Sequence, residues 1–130
     1  LAALRTYAAD FSIRFELAVT VDGRDSLPRY PIAVETALFR IAQEALGNIA
    51  KHARARQVEI VAAEVTPGQI RLTVADDGVG YDASRPQHGN PAYGMTTMRE
   101  RAEAVGASLH VDTAPGKGTR ITVTMGRAGT

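Results

Sequence analysis

The chain contains no cysteine and carries almost no net charge. Without cysteine it has no disulfide bonds, no thiolate catalysis and no zinc or iron–sulfur site with cysteine ligands, and this is compatible with a reducing compartment. Lys and Arg number 15 and Asp and Glu 14, giving a formal charge of +1 at pH 7. That balance argues against a general nucleic-acid binder and against a disordered polyelectrolyte, so we expect no nucleic-acid partner.

Long apolar runs are also missing. No stretch approaches the ~18–20 apolar residues of a membrane span, and no signal peptide is visible. We therefore expect a cytoplasmic domain that makes no direct membrane contact, within a parent protein for which a membrane anchor stays open. Because the chain starts at Leu1 and not at Met, we expect it to be a piece of that parent. Its 130 residues, 45% of them hydrophobic, suffice for one domain with its own core.

Hydrophobic spacing predicts the element order α-β-α-β-β-loop-α-β-β. The predicted helices cover residues 1–11, 32–53 and about 94–105, and the predicted strands cover 15–21, 58–65, 69–75, 108–113 and 119–125. Pro31 suits a first helical position, and Gly106 suits a helix C-terminal cap. Adjacent strands joined by short turns favour an α+β fold, a two-layer sandwich with a mixed, mostly antiparallel sheet backed by helices.

The long predicted helix carries a polar stripe beside its apolar face. Glu44 and Asn48 lie one turn apart, and Lys51 and His52 continue the row. An amide oxygen flanked by a carboxylate and two basic groups suits a metal-bound polyphosphate. For this segment alone, a solvated helix face with ordinary i,i+4 pairs is the alternative.

Glycines follow two predicted strands and precede one predicted helix. Asp76, at a strand end, can accept a hydrogen bond from an exocyclic amine, and Gly78 and Gly80 permit close approach of a ligand. A plain turn or a calcium loop is the alternative, although the later ligands of an EF-hand are missing. Gly94 opens a predicted helix whose free N–H groups favour anions, and a flexible loop with an ordinary helix cap is the alternative. Residues 116–119 lack the P-loop spacing, so a hairpin turn is the alternative there.

Four segments, in this order, closely resemble the N, G1 and G2 boxes and the final strand of the ATP-binding domain of sensor histidine kinases. They are FRIAQEALGNIAKHARA (39–55), DDGVGYD (76–82), YGMTTMRERAEAVGA (93–107) and GKGTRITVTM (116–125). Their style is similar to that of the nitrate-sensor (NarX/NarQ-like) and DesK-like subfamily. The resemblance implies the Bergerat fold shared with Hsp90, gyrase B and MutL, with ATP held under a flexible lid at 82–93.

The resemblance also implies a role for each matched residue. Asn48 matches the residue that coordinates Mg²⁺, which takes its other ligands from phosphate and water. Glu44 matches the acidic N-box position and is the one catalytic candidate on this chain. The remaining ATP-binding candidates are Lys51 and His52 at the phosphates, Asp76 at the adenine amine, Gly78 and Gly80 beside the base, Gly94 and Met95 in the second glycine box, and Thr119 near adenine.

Two positions depart from the family pattern. Ala92 stands where the second box often has a glycine, which affects lid geometry. Asp77 stands where many relatives have Asn, and we expect it to lie outside the adenine contact.

The function implied by the resemblance is that of a kinase domain. Mg²⁺–ATP would donate its γ-phosphoryl to a His on an upstream dimerisation domain of a homodimeric parent, and the phosphate would pass to a response regulator. We expect the general base beside that His, and residues 1–11 to end the linker from that domain. One alternative is an anti-sigma-factor serine kinase, which would need no upstream helix. Another is a degenerate nucleotide-sensing module, which fits Ala92 but not the intact Glu44, Asn48 and Asp76.

Overall fold

A computed structural model of the protein describes residues 2–23, 31–66, 68–80 and 92–125. Within these ranges the chain forms three α-helices, one π-helical turn and one five-stranded sheet. The helices are α1 (Ala2–Phe15), α2 (Ile32–Asn48) and α3 (Ala92–Ala104), and the π-helical turn Ile49–Ala53 continues α2. The strands are β1 (Ala18–Gly23), β2 (Gln57–Thr66), β3 (Gln69–Asp76), β4 (Ser108–Thr113) and β5 (Thr119–Met125).

The sheet is mixed, with the strand order β1-β2-β3-β5-β4. β1 and β2 pair in parallel, which a crossover through α2 makes possible, and every other neighbouring pair is antiparallel. The prediction of a mixed, mostly antiparallel sheet is therefore confirmed.

The core lies between the helices and one face of the sheet. Alternate strand residues point toward the helices, and the positions between them point outward, as the period of a strand requires. The largest fully buried side chains are Ile41, Leu46, Val58, Ile60, Val74, Met98 and Val123. On the outer face Glu59, Arg71 and Arg120 are exposed. The two-layer α+β architecture predicted from the sequence is confirmed.

The first helix is longer than its predicted range of 1–11. It runs to Phe15, where the sequence predicted the start of a strand, and Glu16 then takes a left-handed conformation with φ 54°. The strand begins at Ala18, so the prediction of strand from residue 15 is wrong at its first three positions. Leu17 is buried, and the predicted alternation in β1 is confirmed because its residues are alternately exposed and half-buried.

The other helix ends show smaller differences. Pro31 is the N-cap of α2 and not its first helical residue, and its carbonyl accepts hydrogen bonds from the N–H groups of Val34 (2.9 Å) and Glu35 (3.1 Å). α3 begins two residues before its predicted start. Gly106 caps α3 as predicted, with φ +77°. The next residue along donates its N–H to the Ala102 carbonyl at 2.8 Å, as in a Schellman motif.

Candidate functional site

β3 and β4 end, and β5 begins, side by side at one edge of the sheet, and these ends bring polar side chains into one row. The register pairs Thr113 of β4 with Thr119 of β5, and Thr119 with Asp76 of β3. Since strand side chains alternate, this row shares the helix-facing side with the buried Val74 and Ile121, two residues away along their strands. The core face of the sheet therefore ends in a carboxylate and two hydroxyls.

Asp76 is a half-buried carboxylate. Its Oδ1 accepts a hydrogen bond from the Gly78 N–H at 2.7 Å. Burial raises the pKa of Asp76 above its ordinary value, the Gly78 N–H opposes that rise, the charge of Asp77 adds to it, and the Thr119 N–H lowers it again. A carboxylate poorly solvated in this way is suited to accept a hydrogen bond from an N–H donor on a ligand.

Asp77, its neighbour, has a different set of partners. Its Oδ1 accepts hydrogen bonds from the backbone N–H groups of Arg56 (2.9 Å) and Gln57 (3.0 Å), at the start of β2. The N–H of Gln57 and then that of Arg56 lower the pKa of this exposed carboxyl. Asp77 thus ties the end of β3 to the start of β2. Sequence reasoning expected it outside the adenine contact and missed this structural tie, which no local pattern signals.

The glycines after Asp76 interlock with the turn between β4 and β5. A Cβ added to Gly80 (φ +64°) would lie 2.0 Å from the Ala114 carbonyl oxygen, and one added to Gly118 (φ +72°) would lie 2.3 Å from the Asp76 carbonyl oxygen. The Gly116 N–H donates to the Val79 carbonyl at 2.6 Å. The predicted hairpin turn at 116–119 is real, and it also supports the backbone around Asp76.

A hydroxyl that the sequence analysis did not single out completes this cluster. Thr113 Oγ1 lies 3.0 Å from the Gly118 carbonyl oxygen and 2.9 Å from Thr119 Oγ1. Its period-2 position in β4 shows that it faces the core side. The register that sets it beside Thr119 emerges only in the folded sheet.

A second group of polar residues lies near the end of α2, where α3 packs against it. Arg101 of α3 donates its Nε–H to Glu44 Oε1 at 2.5 Å, and the pair is only partly exposed. Glu44, the candidate catalytic residue, is therefore held in an interhelical ion pair. Sequence reasoning missed Arg101, although its place in the third family segment was a signal.

Asn48 is the last residue of α2, one turn after Glu44. Its Nδ2 is buried and has no hydrogen-bond partner among the described residues. Buried polar atoms of native proteins are nearly always paired, and Nδ2 is an N–H donor, so this atom is suited to an acceptor such as a water or a ligand oxygen. No cluster of three or more acidic or His side chains able to hold a metal occurs in the part of the chain described. If Asn48 holds Mg²⁺, its amide oxygen and not Nδ2 would be the ligand, and phosphate and water would supply the others.

The long helix that carries the predicted stripe changes its form after Asn48. The sequence predicted α-helix through residue 53, but the backbone changes to a π-helical turn at Ile49 and leaves it through a left-handed Arg54 with φ 52°. A π-helix has more residues per turn than an α-helix, so the α-helical spacing that placed Lys51 and His52 in the row does not apply to this turn, and their place in the row stays a prediction. Lys51 is exposed, and the two residues follow Asn48 by three and four positions.

The structure therefore brings the predicted site residues together in two groups. Asp76, Gly78, Gly80 and Thr119 meet at the strand ends, and Glu44 and Asn48 share the end of α2 with the following turn. Gly94 and Met95 lie in the first turn of α3. Of the predicted lid at 82–93, residues 82–91 lie outside the described residues, and the last two positions belong to α3.

Comparisons with known proteins show the family of the chain. The family model described as "Histidine kinase-, DNA gyrase B-, and HSP90-like ATPase" matches residues 33–128. The sensor histidine kinase LiaS of Bacillus subtilis is 39% identical over 90 residues, which are 69% of this chain and 24% of LiaS. The oxygen sensor histidine kinase NreB of Staphylococcus carnosus is 32% identical over 122 residues, 94% of this chain and 35% of NreB. The chain thus spans only a quarter to a third of these relatives.

Solved structures share the fold. The histidine kinase domain of the blue-light activated kinase from Erythrobacter litoralis EL346 superposes with a TM-score of 0.76 at 23% identity, covering 95% of this chain and 63% of that chain. The kinase AdeS of Acinetobacter baumannii gives 0.73 at 13% identity, covering 98% and 63%. Among the described residues, no helix has the length and apolar character required to cross a bilayer.

Proposed function

Since the chain belongs to the family of histidine kinase-, DNA gyrase B- and HSP90-like ATPases, we propose that it is the ATP-binding catalytic domain of a sensor histidine kinase. LiaS and NreB are sensor histidine kinases, so the resemblance to this class seen in the four segments is confirmed. The proposed reaction transfers the γ-phosphoryl group of ATP to a His on a dimerisation domain outside this chain. A response regulator would then receive the phosphate.

One observation carries the proposal: the half-buried Asp76 at the end of a core strand, beside Thr119 and two glycines. Asp76 would accept a hydrogen bond from the adenine amine. Gly78 and Gly80 would let the base approach the backbone. These contacts bind and orient the nucleotide without taking part in bond breaking.

The phosphate end of the site would be formed by α2, the π-helical turn and α3. Asn48 would hold Mg²⁺, which supplies charge neutralisation at the phosphate oxygens. Lys51 and His52 would add positive charge, and the N-terminal turn of α3, with Gly94 and Met95, would offer N–H groups to an anion. Phosphoryl transfer depends mainly on positioning and on stabilising charge, which is the contribution these residues can make.

The proposal extends to the parent protein. A homodimeric parent would supply the acceptor His and the general base beside it, and the domain would work in the cytoplasm. Glu44, held by Arg101, would fix the N-box helix relative to α3.

Transfer in trans tests the proposal. The chain is mixed with the dimerisation domain of its parent, Mg²⁺ and γ-labelled ATP, and the label should appear on that domain as acid-labile, base-stable phosphohistidine. Asn48→Ala should abolish most of the transfer, whereas Asp112→Ala, on the outer face of β4, should not. Acid-stable phosphoserine on a partner would instead support the anti-sigma-factor kinase. ATP binding with no transfer to any partner would support a nucleotide-sensing module.

A further inference from the structure

Two hydrogen bonds of Thr113 Oγ1 determine where the proton of Thr119 points. A threonine hydroxyl has one proton to donate and two lone pairs that accept. The Gly118 carbonyl, 3.0 Å from Thr113 Oγ1, has no proton. Thr113 must therefore be the donor in that bond, and its single proton is used there.

The consequence passes to Thr119. Thr113 Oγ1 and Thr119 Oγ1 are 2.9 Å apart, and one of them must donate to the other. Because the Thr113 proton is directed to Gly118, Thr119 is the donor. The proton of Thr119 thus points toward Thr113, and the Thr119 oxygen presents only lone pairs to a ligand.

Because Thr119 lies beside Asp76, the direction of its proton affects which ligand groups can bind between them. Thr119 is paired with Asp76 across the sheet, and both side chains lie on the helix-facing side. Asp76, when ionised, also only accepts. A ligand group placed between them meets two acceptors, which suits an amine and repels a carbonyl.

We infer that Thr113 is a specificity-determining residue: by holding the proton of Thr119, it makes the base site select a 6-amino purine over a 6-keto purine. The inference rests on the proposed function, in which Asp76 faces the adenine amine. Thr113 acts through Thr119 without touching the base, so it is a positioning residue. It adds a second element of selectivity to that of Asp76.

The test compares calorimetric affinities for ATP and inosine triphosphate, whose bases differ at position 6 and at the adjacent ring nitrogen. Thr113→Val keeps the β-branched shape but removes the hydroxyl, so the Thr119 proton becomes available to a carbonyl. The affinity for inosine triphosphate should rise, ATP affinity should change little, and their ratio should fall by about three- to tenfold, the net worth of one neutral hydrogen bond.

Three variants control the experiment. Thr113→Ser retains the hydroxyl and should restore the parent ratio. Thr122→Val makes the same replacement on the outer face of β5 and should leave the ratio unchanged. Thr113→Ala also removes the hydroxyl. It replaces Thr113→Val in the affinity measurement if the valine variant does not show the cooperative melting curve of a folded protein.

The results separate a failure of this inference from a failure of the proposed function. A parent ratio retained in both Thr113→Val and Thr113→Ala overturns the inference, as does an equal loss of affinity for both nucleotides, which would indicate a purely structural role. If the parent binds ATP and inosine triphosphate equally, the inference fails while ATP binding stands. If the parent binds neither, both the inference and the proposed function fail.

Discussion

Two adjacent aspartates show how much depends on where a single side chain points. Burial raises the pKa of Asp76, whereas two backbone N–H groups lower the pKa of Asp77. The two residues have the same chemistry, and only the alternation at the strand end sends one toward the helices and the other toward the start of β2. Asp76 is thereby suited to accept a ligand N–H, and Asp77 to hold the backbone.

Replacing Asp76 should weaken nucleotide binding selectively. Asp76→Ala removes a charged acceptor, so ATP affinity should fall by about 1.5–3 kcal/mol, the usual contribution of a hydrogen bond to a charged group. In the parent, GTP should bind much more weakly than ATP, because its carbonyl would face the carboxylate. Calorimetry of ATP and GTP binding to the parent and to Asp76→Ala measures these affinities. Asp112→Ala, on the outer sheet face, is the control. Equal parent affinities for ATP and GTP would remove Asp76 from this role.

The raised pKa of Asp76 should give stability and binding opposite pH dependences. The folded apo chain holds this proton more tightly than the unfolded chain, so the contribution of Asp76 to stability falls as pH rises from its ordinary pKa of 3.8 through the raised pKa. ATP affinity should increase over the same window, because the ionised carboxylate is the acceptor. Melting curves and calorimetry from roughly pH 4 to 7 measure stability and ATP affinity. The change of each with pH should be smaller in Asp76→Asn than in the parent. Identical slopes in parent and variant would contradict the assignment.

At the scale of elements, local patterns predicted what depends on neighbours in sequence and missed what depends on packing. Period-2 alternation placed the strands, and Gly106 was recognised as a helix cap because a cap is a local structure. The π-helical turn at Ile49–Ala53 was missed, since its residues continue an ordinary apolar-and-polar helical pattern. The contact of Gly118 with Asp76 was also missed, because it joins segments more than forty positions apart.

Two glycines of the β4–β5 turn allow the contact between Gly118 and Asp76 to be tested, because alanine is strained in the backbone conformation of both. Gly116 and Gly118 both have positive φ, but only at Gly118 does an added Cβ meet backbone, the Asp76 carbonyl oxygen at 2.3 Å. Each alanine variant should lose about 1–2 kcal/mol for the left-handed conformation. Gly118→Ala should lose about 1–3 kcal/mol more from overpacking, and it should also weaken ATP binding.

Urea unfolding and calorimetry of Gly116→Ala and Gly118→Ala measure the difference. Equal destabilisation and unchanged ATP affinity in both variants would show that the turn does not support the base site.

At the scale of the whole molecule, α1 is packed as part of the domain. The family model matches only from residue 33, yet Leu4, Ala8 and Phe11 are buried in the core. Arg5 also donates to the carbonyl oxygens of β1, at Val21 (2.7 Å) and Gly23 (2.6 Å). The prediction that residues 1–11 end a linker from an upstream domain stays a prediction, and these contacts would fix such a linker to the sheet.

Substitutions within α1 test this packing. Phe11→Ala should destabilise the chain by about 3–5 kcal/mol, because it removes a buried aromatic side chain and leaves a cavity. Ile13→Ala, two residues later in the same helix, should have little effect, since Ile13 is 80% exposed. Urea unfolding of the two variants gives the comparison. Similar small losses would mean that α1 contributes little to the stability of the domain.

The central claim is that one nucleotide spans both groups of site residues, with its base at Asp76 and its phosphates at Asn48. Amide chemical-shift mapping tests it directly, first with adenosine and then with a non-hydrolysable ATP analogue and Mg²⁺. Adenosine should shift the amides of Gly78, Gly80 and Thr119, and the Mg²⁺-bound analogue should additionally shift those of Asn48, Lys51 and Gly94. Shifts confined to the outer face of the sheet, or an analogue that adds none near Asn48, would contradict the account.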